Sequence, residues 1–388
     1  MARARHGTPR GRPPLLSPEL RQQGWSMQSE EGEWYYVGRV ITRDRPSRGW
    51  PAAQLLGRDQ ADELYKEAVA VAVAKCAKDT AGQTCYICYG EGDEDGLVRG
   101  CACRGESGIA HISCLAEQAR RLVVHAEAEA RDLDDDALDA AWKRWCICGL
   151  CEQDYHGVVS CALGWACWKT YLGRREEDEA RNFAMTVLGN GLYAANYYED
   201  ALSVQKAELS MRQRLGDAED NILAVQTNLA NTYRSLGRLE EALRLRQEVY
   251  SRYLKLNGKE HGSTLLATNN YAVSLNLLER FEEARSLLRR TISVARRVLG
   301  ESHDLTLNMR KTYAIALYCD KGATLDDLRE SVTTLEDAKR IARRVLGGEH
   351  PTTTEIEWHL QEALRAHETS DDETLDVSAQ EDDADDIE

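Results

Sequence analysis

The amino-acid sequence predicts a mainly α-helical protein in which a small metal-bound module precedes a stack of helical hairpins. Three observations predict this arrangement. Leu, Ala, Arg and Glu dominate, whereas only two Phe and seven Pro occur, and this balance favours helices over sheets. Closely spaced cysteine pairs occur between residues 85 and 151. A sequence pattern recurs in the C-terminal half with an offset of 42 residues.

Composition and charge exclude several classes of function. Hydrophobic residues make up 43% and charged residues 29%, as in ordinary soluble globular proteins. The net charge is −16, and the segment 368–388 holds eleven acidic residues and no Lys or Arg, so no basic surface for nucleic acid is predicted. Neither a signal peptide nor an apolar run of about 18 residues is visible. We therefore expect no membrane or nucleic-acid partner, and a cytoplasmic location with the nucleus as the alternative.

Composition and periodicity divide the chain into six segments. The Arg-, Pro- and Gly-rich start predicts disorder. Aromatic and β-branched residues in 33–56 predict a short β-hairpin, and Asp59–Lys78 predicts an amphipathic helix. The predicted segments are a disordered basic N-terminus (1–28), a segment with the hairpin and the helix (29–80), the metal-bound module (81–156), a connecting helix (157–181), the repeats (182–367) and an acidic disordered tail (368–388).

Seven cysteines and one histidine form four pairs with the spacing of metal ligands. The pairs are Cys85-x2-Cys88, Cys101-x-Cys103, His111-x2-Cys114 and Cys148-x2-Cys151. A two-residue gap turns both side chains toward one ion, and a one-residue gap on an extended strand puts both on the same face. Structural zinc takes four such ligands, so eight ligands predict two structural zinc ions. Neither ion would keep an open position for a water nucleophile.

The order and spacing of these ligands closely resemble the RING-CH finger. That finger has a one-residue gap in its second pair, seven residues before its His, and a Trp shortly before its last pair, here Trp145. The strings Cys101-Ala-Cys103-Arg-Gly105 and His111-Ile-Ser-Cys114-Leu115 also match it. The resemblance implies a two-zinc cross-brace. One zinc would be held by Cys85, Cys88, His111 and Cys114, and the other by Cys101, Cys103, Cys148 and Cys151.

Two alternatives to this interpretation stay open. Cys146 is separated from Cys148 by one residue and competes with it as a ligand. A plant homeodomain (PHD) finger shares the ligand order, although it usually has a wider third gap and a shorter run to the His.

The C-terminal half contains an internal repeat. Leu236-Gly-Arg-Leu-Glu-Glu-Ala242 corresponds to Leu278-Glu-Arg-Phe-Glu-Glu-Ala284, and a Gly-x-x-His turn ends at His261, His303 and His350. One helical hairpin cannot bury its apolar face alone, so stacked neighbours bury it together. We expect the turn histidines to cap and pack the turns. The expected hairpins are 182–215, 221–257, 263–299 and 305–346, followed by a capping helix at 351–367.

This repeat resembles the longer tetratricopeptide repeats of kinesin light chains. Those repeats pair the Gly-x-x-His turn with Asn-x-Leu-Ala, matched here by Asn228-Leu-Ala230 and Asn270-Tyr-Ala272. The resemblance implies an α-solenoid whose concave face grips an extended protein or peptide substrate. The candidates for bonding its backbone are Asn228, Asn231 and Asn270, and those for contacting acidic residues are Arg310 and Lys311. The alternative is that these side chains are merely solvated.

The RING-CH resemblance also implies a function. Such fingers act as ubiquitin ligases by holding a charged ubiquitin-conjugating enzyme near a substrate lysine, so they contribute proximity and orientation rather than a catalytic residue. The implied contacts for the conjugating enzyme are Ile87 and Leu150; the alternative is that both only shield zinc sulfurs. The chain departs from the RING pattern at Gly149, Glu152 and Gln118.

Together these patterns predict a two-zinc cross-brace RING-CH finger followed by an α-solenoid of tetratricopeptide-like hairpins. The predicted function is a soluble ubiquitin-protein ligase that recruits a conjugating enzyme through the finger and a protein substrate through the repeats. The alternative is a non-enzymatic adaptor or a PHD-like reader. A hydrolase or transferase with its own active site is not indicated, because no phosphate loop, nucleophile elbow or His-Glu-x-x-His motif occurs.

Overall fold

The structure, a computed structural model, describes the backbone of residues 5–6, 25–30, 33–38, 57–91, 96–129 and 135–382, and the side chains of 57–91, 96–128 and 137–369. Within these residues the strands are β1 (Arg5–His6), β2 (Trp25–Glu30) and β3 (Glu33–Gly38). The helices are α1 (Arg58–Thr80), α2 (Ile112–Glu129), α3 (Asp135–Lys143), α4 (Gly157–Tyr171), α5 (Glu179–Ala194), α6 (Tyr198–Leu215), α7 (Glu219–Ser235), α8 (Leu239–Asn257), α9 (Gly262–Leu277), α10 (Phe281–Val298), α11 (Asp304–Tyr318), α12 (Leu325–Val345) and α13 (Pro351–Asp382).

The strands form a small antiparallel sheet in the order β1-β3-β2, with Trp25 opposite Gly38 and Ser29 opposite Trp34. The hairpin therefore begins earlier than the predicted range 33–56, and β2 overlaps the end of the segment predicted to be disordered. The aromatic strand β3 pairs with β2, which precedes it in the chain. Only two residues separate β2 from β3, and so short a connection favours antiparallel pairing.

The chain forms two compact units, one of residues Ser47–Leu236 and one that includes Gly237–Glu388. The first unit contains the cysteine-rich segment and α1–α7, and the second contains α8–α13. The predicted fold class, a mainly helical chain with a cysteine-rich module before a helical solenoid, is confirmed.

Helix α4 lies at the centre of the first unit, packed against α1, α2 and α5. Its sequence is apolar on every side, and its side chains from Cys161 to Trp168 are all buried. Two glycines allow α4 and α5 to approach closely: a Cβ on Gly191 would lie 2.6 Å from the carbonyl oxygen of Ser160, and one on Gly164 would lie 3.1 Å from the Cα of Leu188.

No described helix has the length and apolarity needed to cross a membrane.

Aromatic side chains join the cysteine-rich segment to the helices that follow it. The ring of Trp142, at the end of α3, lies 5.0 Å from Tyr171 of α4 and 4.6 Å from Phe183 of α5, measured between centroids. Trp145 is almost fully buried in the same cluster. The cysteine-rich segment and the first helical hairpin therefore share one apolar core and are not joined by a free linker.

Gly100 lies where the cysteine-rich segment contacts α4. Its carbonyl accepts a hydrogen bond from the amide of His156 at 2.8 Å, and a Cβ at this position would lie 2.4 Å from the Cβ of Val159. We expect Gly100→Ala to lower the free energy of unfolding by about 1–3 kcal/mol, because overpacking forces the two surfaces apart. Thermal unfolding of the full chain measures this effect.

Two further variants test the cause. A Cβ on Gly149 would meet only the end of the Arg144 side chain, at 3.8 Å, so Gly149→Ala should leave stability nearly unchanged. Val159→Ala should restore part of the stability lost in Gly100→Ala, since it keeps the Cβ but removes the two γ-methyl groups, which would lie 2.5 and 2.9 Å from the new Cβ. Independent, additive effects of Gly100→Ala and Val159→Ala would contradict the assignment of this contact.

The repeats have the small buried residues that stacked hairpins require. The alanines that recur at equivalent positions are at most 1% exposed: Ala201, Ala242, Ala284, Ala230, Ala272 and Ala314. The glycine that follows the second helix of each hairpin has a positive φ; Gly216, for example, caps α6 at φ 67°. A residue with a Cβ would be strained there, which explains the recurring glycine.

The turn histidines cap the helices that follow them. In each case the ring Nδ1 accepts a hydrogen bond from the amide two residues later: 3.3 Å at His261, 3.1 Å at His303 and 3.3 Å at His350. An imidazole thus takes the place of the usual Ser, Thr or Asp cap at the start of α9, α11 and α13. The structure agrees with the capping role expected for these residues.

The extra residues of the last hairpin lie in its turn. Helix α11 ends at Tyr318 and α12 begins at Leu325, where Thr324 and Asp327 form a reciprocal capping box. The following helix, α13, continues to Asp382, beyond the predicted range 351–367 and into the acidic segment predicted to be disordered. A helix that is already nucleated by its packed first half can extend at little cost in free energy. Composition alone therefore did not predict the helix in the acidic segment.

His359 of α13 predicts a pH dependence for the second unit. Its Nδ1 lies 2.8 Å from the hydroxyl of Tyr318, and burial, together with the charge of Lys311, lowers its pKa to about 3. Because the unfolded chain gains this proton near pH 6.5 and the folded chain does not, stability is expected to fall between pH 6.5 and pH 3, by at most about 1.4 kcal/mol per pH unit.

Denaturant unfolding at several pH values measures this slope. His359→Gln keeps a hydrogen-bond acceptor for Tyr318 but cannot be protonated, so the variant should lose stability less steeply as the pH falls. Equal slopes for the two proteins would show that His359 does not contribute. The carboxylates that also titrate in this range are common to both proteins and cancel in the difference.

Candidate metal centre

The first cysteine pair lies in a tight turn, residues 85–90, called here the first knuckle. The amide of Cys85 donates to the carbonyl of Gly90 at 2.9 Å, and the amide of Tyr89 donates to the carbonyl of Cys85 at 2.8 Å. Two further amides point at sulfur: Ile87 N lies 3.4 Å from Cys85 Sγ, and Gly90 N lies 3.4 Å from Cys88 Sγ. The turn therefore holds two thiols on one side and stabilises their charged forms.

The last cysteine pair repeats this geometry in the second knuckle, residues 148–153. The amide of Cys148 donates to the carbonyl of Gln153 at 2.9 Å, and the amide of Glu152 donates to the carbonyl of Cys148 at 3.0 Å. Leu150 N lies 3.5 Å from Cys148 Sγ. Two segments about sixty residues apart thus form the same metal-binding turn.

The inner pairs are positioned by a short antiparallel bridge. Val98 and Ala110 exchange backbone hydrogen bonds of 2.9 and 3.1 Å, which places the segment before Cys101 beside the segment before His111. Gly108 closes the loop between them, with φ 74°, and a Cβ there would lie 2.6 Å from the Cβ of Cys103. The chain can pass this close to the ligands only because this residue is glycine.

The first ligand group consists of Cys85, Cys88, His111 and Cys114, whose ligand atoms all lie within 4.8 Å of one another. His111 Nδ1 is 3.4 Å from Cys88 Sγ and 3.7 Å from Cys114 Sγ. Its other nitrogen, Nε2, lies 3.0 Å from the carbonyl oxygen of Glu91 and donates to it. This contact leaves Nδ1 with a free lone pair directed at the three sulfurs.

The second ligand group consists of Cys101, Cys103, Cys148 and Cys151, again within 4.8 Å. Cys103 Sγ and Cys148 Sγ are 3.8 Å apart. The structure therefore gathers the eight ligands into two groups, with the membership that the RING-CH resemblance implies. The first group joins pairs one and three, and the second joins pairs two and four.

The donor sets and distances fit tetrahedral zinc. Zinc binds sulfur at about 2.3 Å and nitrogen at about 2.0 Å, so a tetrahedron separates two sulfurs by about 3.8 Å and a sulfur from a nitrogen by about 3.5 Å. The observed separations are 3.8 Å between sulfurs and 3.4 and 3.7 Å from sulfur to nitrogen. Each group supplies four donors, which closes the coordination shell.

The thiols of each group differ in acidity in the metal-free protein. Burial raises the pKa of Cys114 to about 12 and that of Cys103 to about 11. Burial also opposes ionisation of Cys85 and Cys151, but backbone amides, mainly those of Cys88 and Gln153, overcome it and lower both pKa values to about 7. Each group thus holds one thiol that ionises readily beside another that gives up its proton only to a metal.

Cys146 does not belong to either ligand group. Its side chain is partly buried and packs against the aromatic cluster of the first unit, and burial raises its pKa to about 11. Cys146 lies in the turn after α3, where its amide donates to the carbonyl of Lys143 at 2.9 Å, whereas Cys148 begins the second knuckle. The structure favours Cys148 over its competitor.

Comparisons with known families agree with this arrangement. The family model of the RING-variant domain matches residues 85–126, and two tetratricopeptide repeat models match residues 222–262 and 263–324. The chain contains a RING-variant domain and tetratricopeptide repeats. The RING-variant match includes six of the eight ligands; Cys148 and Cys151 lie beyond it and are joined to it by the geometry of the second group.

Solved structures of repeat proteins are similar to this chain at low sequence identity. A kinesin-light-chain-like protein of Podosopora anserina with nearly identical TPR-like repeats is 17% identical, over 60% of this chain and 95% of that one, with a TM-score of 0.40. BtubC (BKLC) of P. vanneervenii is 15% identical, over 70% and 92%, with a TM-score of 0.43. A Rap protein complexed with competence and sporulation factor is 14% identical, over 66% of this chain and 72% of that one, with a TM-score of 0.38. No curated protein matches the chain significantly.

The two residues predicted to contact a conjugating enzyme lie in the two knuckles of the RING-variant domain. Leu150 is 53% exposed, whereas Ile87 is half-buried against the core around the ligands. The three departures from the RING pattern, Gly149, Glu152 and Gln118, are all exposed. The contact roles stay predictions, and the exposure of Leu150 is the feature that agrees with them.

The predicted peptide-binding residues differ in their availability. Asn228, Asn231 and Asn270 are half-buried on α7 and α9, and their role stays a prediction. Both cations are already used inside the second unit. Arg310 is only 8% exposed and donates to the carbonyl of Thr334 at 3.3 Å, and Lys311 forms an ion pair with Glu355. Neither offers a free positive charge to an acidic peptide.

Sequence reasoning missed three residues that contact the metal ligands or pack beside them without binding the metal. Glu91 acts through its backbone carbonyl, which no side-chain pattern can indicate. Tyr86 projects from the first knuckle toward the second ligand group: burial, and then the charges of Cys148 and Cys101, raise its pKa to about 12. Tyr155 is buried beside the same thiols. An aromatic residue directly after Cys85 was the available signal.

Proposed function

We propose that this chain is a RING-type ubiquitin-protein ligase in which two structural zinc ions hold a docking surface for a ubiquitin-conjugating enzyme. The observation that supports this most is the pair of closed four-donor groups whose outer turns are matching knuckles. Those knuckles carry Ile87 and exposed Leu150 at equivalent positions, two residues after the first ligand of each pair. They would offer apolar contacts to the conjugating enzyme.

The proposed mechanism is proximity rather than covalent catalysis. Bound zinc would supply structural stability only, since each group fills a tetrahedron and leaves no position for water or substrate. The protein residues bind the conjugating enzyme and orient its ubiquitin thioester toward a lysine of the substrate. Holding two reactants in position is a large source of rate acceleration by itself.

The repeats would recruit the substrate. Tetratricopeptide repeats are protein-interaction modules, and the proposed substrate contacts are Asn228, Asn231 and Asn270. The first hairpin, α5 and α6, shares its core with the RING-variant domain, so its distance from the knuckles is fixed by packing. A fixed distance suits an enzyme that works by proximity. We place this activity in the cytoplasm or the nucleus.

A second candidate function is a non-enzymatic adaptor. It is favoured by Glu152, an exposed carboxylate directly after the last ligand, where active RING fingers often have a cation that engages ubiquitin. Gly149 also replaces the usual proline. An adaptor would retain the zinc sites and the repeats and would bind a partner through the knuckles without stimulating ubiquitin transfer.

A ubiquitin-transfer assay separates the two functions. The full chain is incubated with activating enzyme, ubiquitin, ATP and each member of a panel of conjugating enzymes. The ligase proposal expects ubiquitin chains, or faster discharge of the thioester onto free lysine, with at least one conjugating enzyme. No stimulation by any of them, from protein that holds its zinc, would favour the adaptor.

A further inference from the structure

The first knuckle carries an exposed aromatic side chain that the proposed function has not used. Tyr89 is 81% exposed, the most exposed large hydrophobic residue among those the structure describes. It follows the second ligand of the pair, Cys88, and lies two residues from Ile87. An aromatic ring left this open in water contributes little to folding.

The backbone of Tyr89 is strained as well. Its φ is 62°, in the left-handed region, where a Cβ clashes with the backbone and where Gly or Asn is usually found. The knuckle imposes this conformation, because the amide of Tyr89 must point at the carbonyl of Cys85, 2.8 Å away. Tyrosine thus costs stability at a position where its ring gains almost no burial. Such a combination indicates a role outside the fold.

The second knuckle has a charged side chain at the equivalent position. Glu152 has φ 55° and is exposed. Glu91 and Asp154, which directly follow the first and the second knuckle, are exposed carboxylates too. Each knuckle therefore presents an apolar side chain to solvent beside at least one exposed carboxylate. The complementary surface is an apolar residue flanked by lysine or arginine.

We infer that Tyr89 is a specificity-determining contact for the conjugating enzyme, which it selects by an apolar residue flanked by basic side chains. The inference rests on the proposed function and adds a third contact to Ile87 and Leu150. Tyrosine suits this role, because its ring packs against apolar groups and its face attracts cations. Tyrosine is also among the residues that dominate binding energy at protein interfaces.

The test compares three variants of the full chain, all zinc-loaded. Tyr89→Asn removes the ring and relieves the backbone strain, Tyr89→Ala removes the ring but keeps the strain, and Tyr89→Phe keeps the ring. Leu254→Ala, at an exposed position of α8, is the control. Titration calorimetry measures affinity for the panel member that the wild type binds most tightly, at two salt concentrations, and thermal unfolding measures stability.

We expect Tyr89→Asn to raise the melting temperature of the RING-variant domain while weakening binding at least tenfold. Tyr89→Ala should weaken binding equally without raising the melting temperature, and Tyr89→Phe and Leu254→Ala should bind nearly as the wild type does. Binding by the wild type should weaken at high salt.

Three results would overturn the inference. A lower melting temperature for Tyr89→Asn would show that the ring serves the fold. Unchanged affinity in both ring-deleted variants, with wild-type binding intact, would refute the contact and leave the proposed function standing. If no conjugating enzyme binds the wild type, the proposed function fails, and the inference fails with it.

Discussion

Removal of zinc is expected to unfold residues 85–151 and to destabilise α4 and α5 with them. Structural zinc contributes on the order of 10 kcal/mol to folding, as much as the whole stability of an average domain at about 5–15 kcal/mol. The core of the RING-variant domain depends on the metal because the ligands Cys85, Cys101 and Cys148 are themselves buried within it, so loss of the metal disrupts this core from the inside.

The effect should extend beyond the finger because the cores are shared. Val159 and Leu163 of α4 pack in the cluster that surrounds the ligands, and Trp145 packs among the aromatic side chains of α4. Losing the finger would expose both sets of apolar side chains. Hydrogen exchange should therefore accelerate in α4 and α5 after chelation.

Cys148→Ser and its neighbour Cys146→Ser are a matched pair for this prediction. The first removes a ligand of the second group, whereas the second alters a thiol outside both groups. We expect Cys148→Ser to lose one zinc and the cooperative unfolding of the first unit, and Cys146→Ser to keep both ions with a modest loss of stability. Equal zinc content and equal exchange rates in the two variants would contradict the ligand assignment.

Substitution of Ile87 is expected to reduce ubiquitin transfer without releasing zinc. Ile87 is half-buried, so truncation to alanine removes apolar surface that the conjugating enzyme would cover, while the sulfur contact made by its backbone amide is retained. We expect Ile87 to be one of the few residues that dominate the interface; truncating such a residue costs about 2 kcal/mol or more, so the rate at limiting ligase should fall at least tenfold.

The matching control is Leu122→Ala. Leu122 is an apolar side chain that is 42% exposed, and it lies on α2 eight residues past Cys114, about 12 Å further along the helix. Its truncation should leave the rate unchanged. A fall in rate that accompanies zinc loss in Ile87→Ala would mean that the side chain only shields the ligands, and equal rates for all three proteins would remove Ile87 from the docking surface.

The sequence predicted the features that depend on spacing and missed those that depend on distant packing. Ligand identity follows from the spacing of the cysteine pairs, and the solenoid follows from the 42-residue offset and the recurring alanines. The cross-brace pairing needed the family resemblance, because spacing alone allows adjacent pairs to share an ion. In the structure the two knuckles have the same backbone geometry. The two-residue gap shared by Cys85–Cys88 and Cys148–Cys151 already indicated this similarity.

Tertiary contacts account for the rest. The sequence predicted that Arg310 could contact a peptide, but its guanidinium donates a hydrogen bond to the carbonyl of Thr334 in the following helix. The sequence identified Trp145 only as part of the RING-CH pattern. It did not predict that this side chain packs in an aromatic cluster that joins the finger to α4. The strain at Tyr89 is equally invisible in the sequence, because it arises from a hydrogen bond that closes the knuckle.

Native mass spectrometry of the full chain, with elemental analysis of the same sample, counts the metal ions held by the two ligand groups. We expect two zinc ions in each wild-type molecule, one in Cys88→Ser and one in Cys148→Ser. A wild-type protein that folds without bound metal would contradict this assignment, and so would single-ligand variants that both keep two ions.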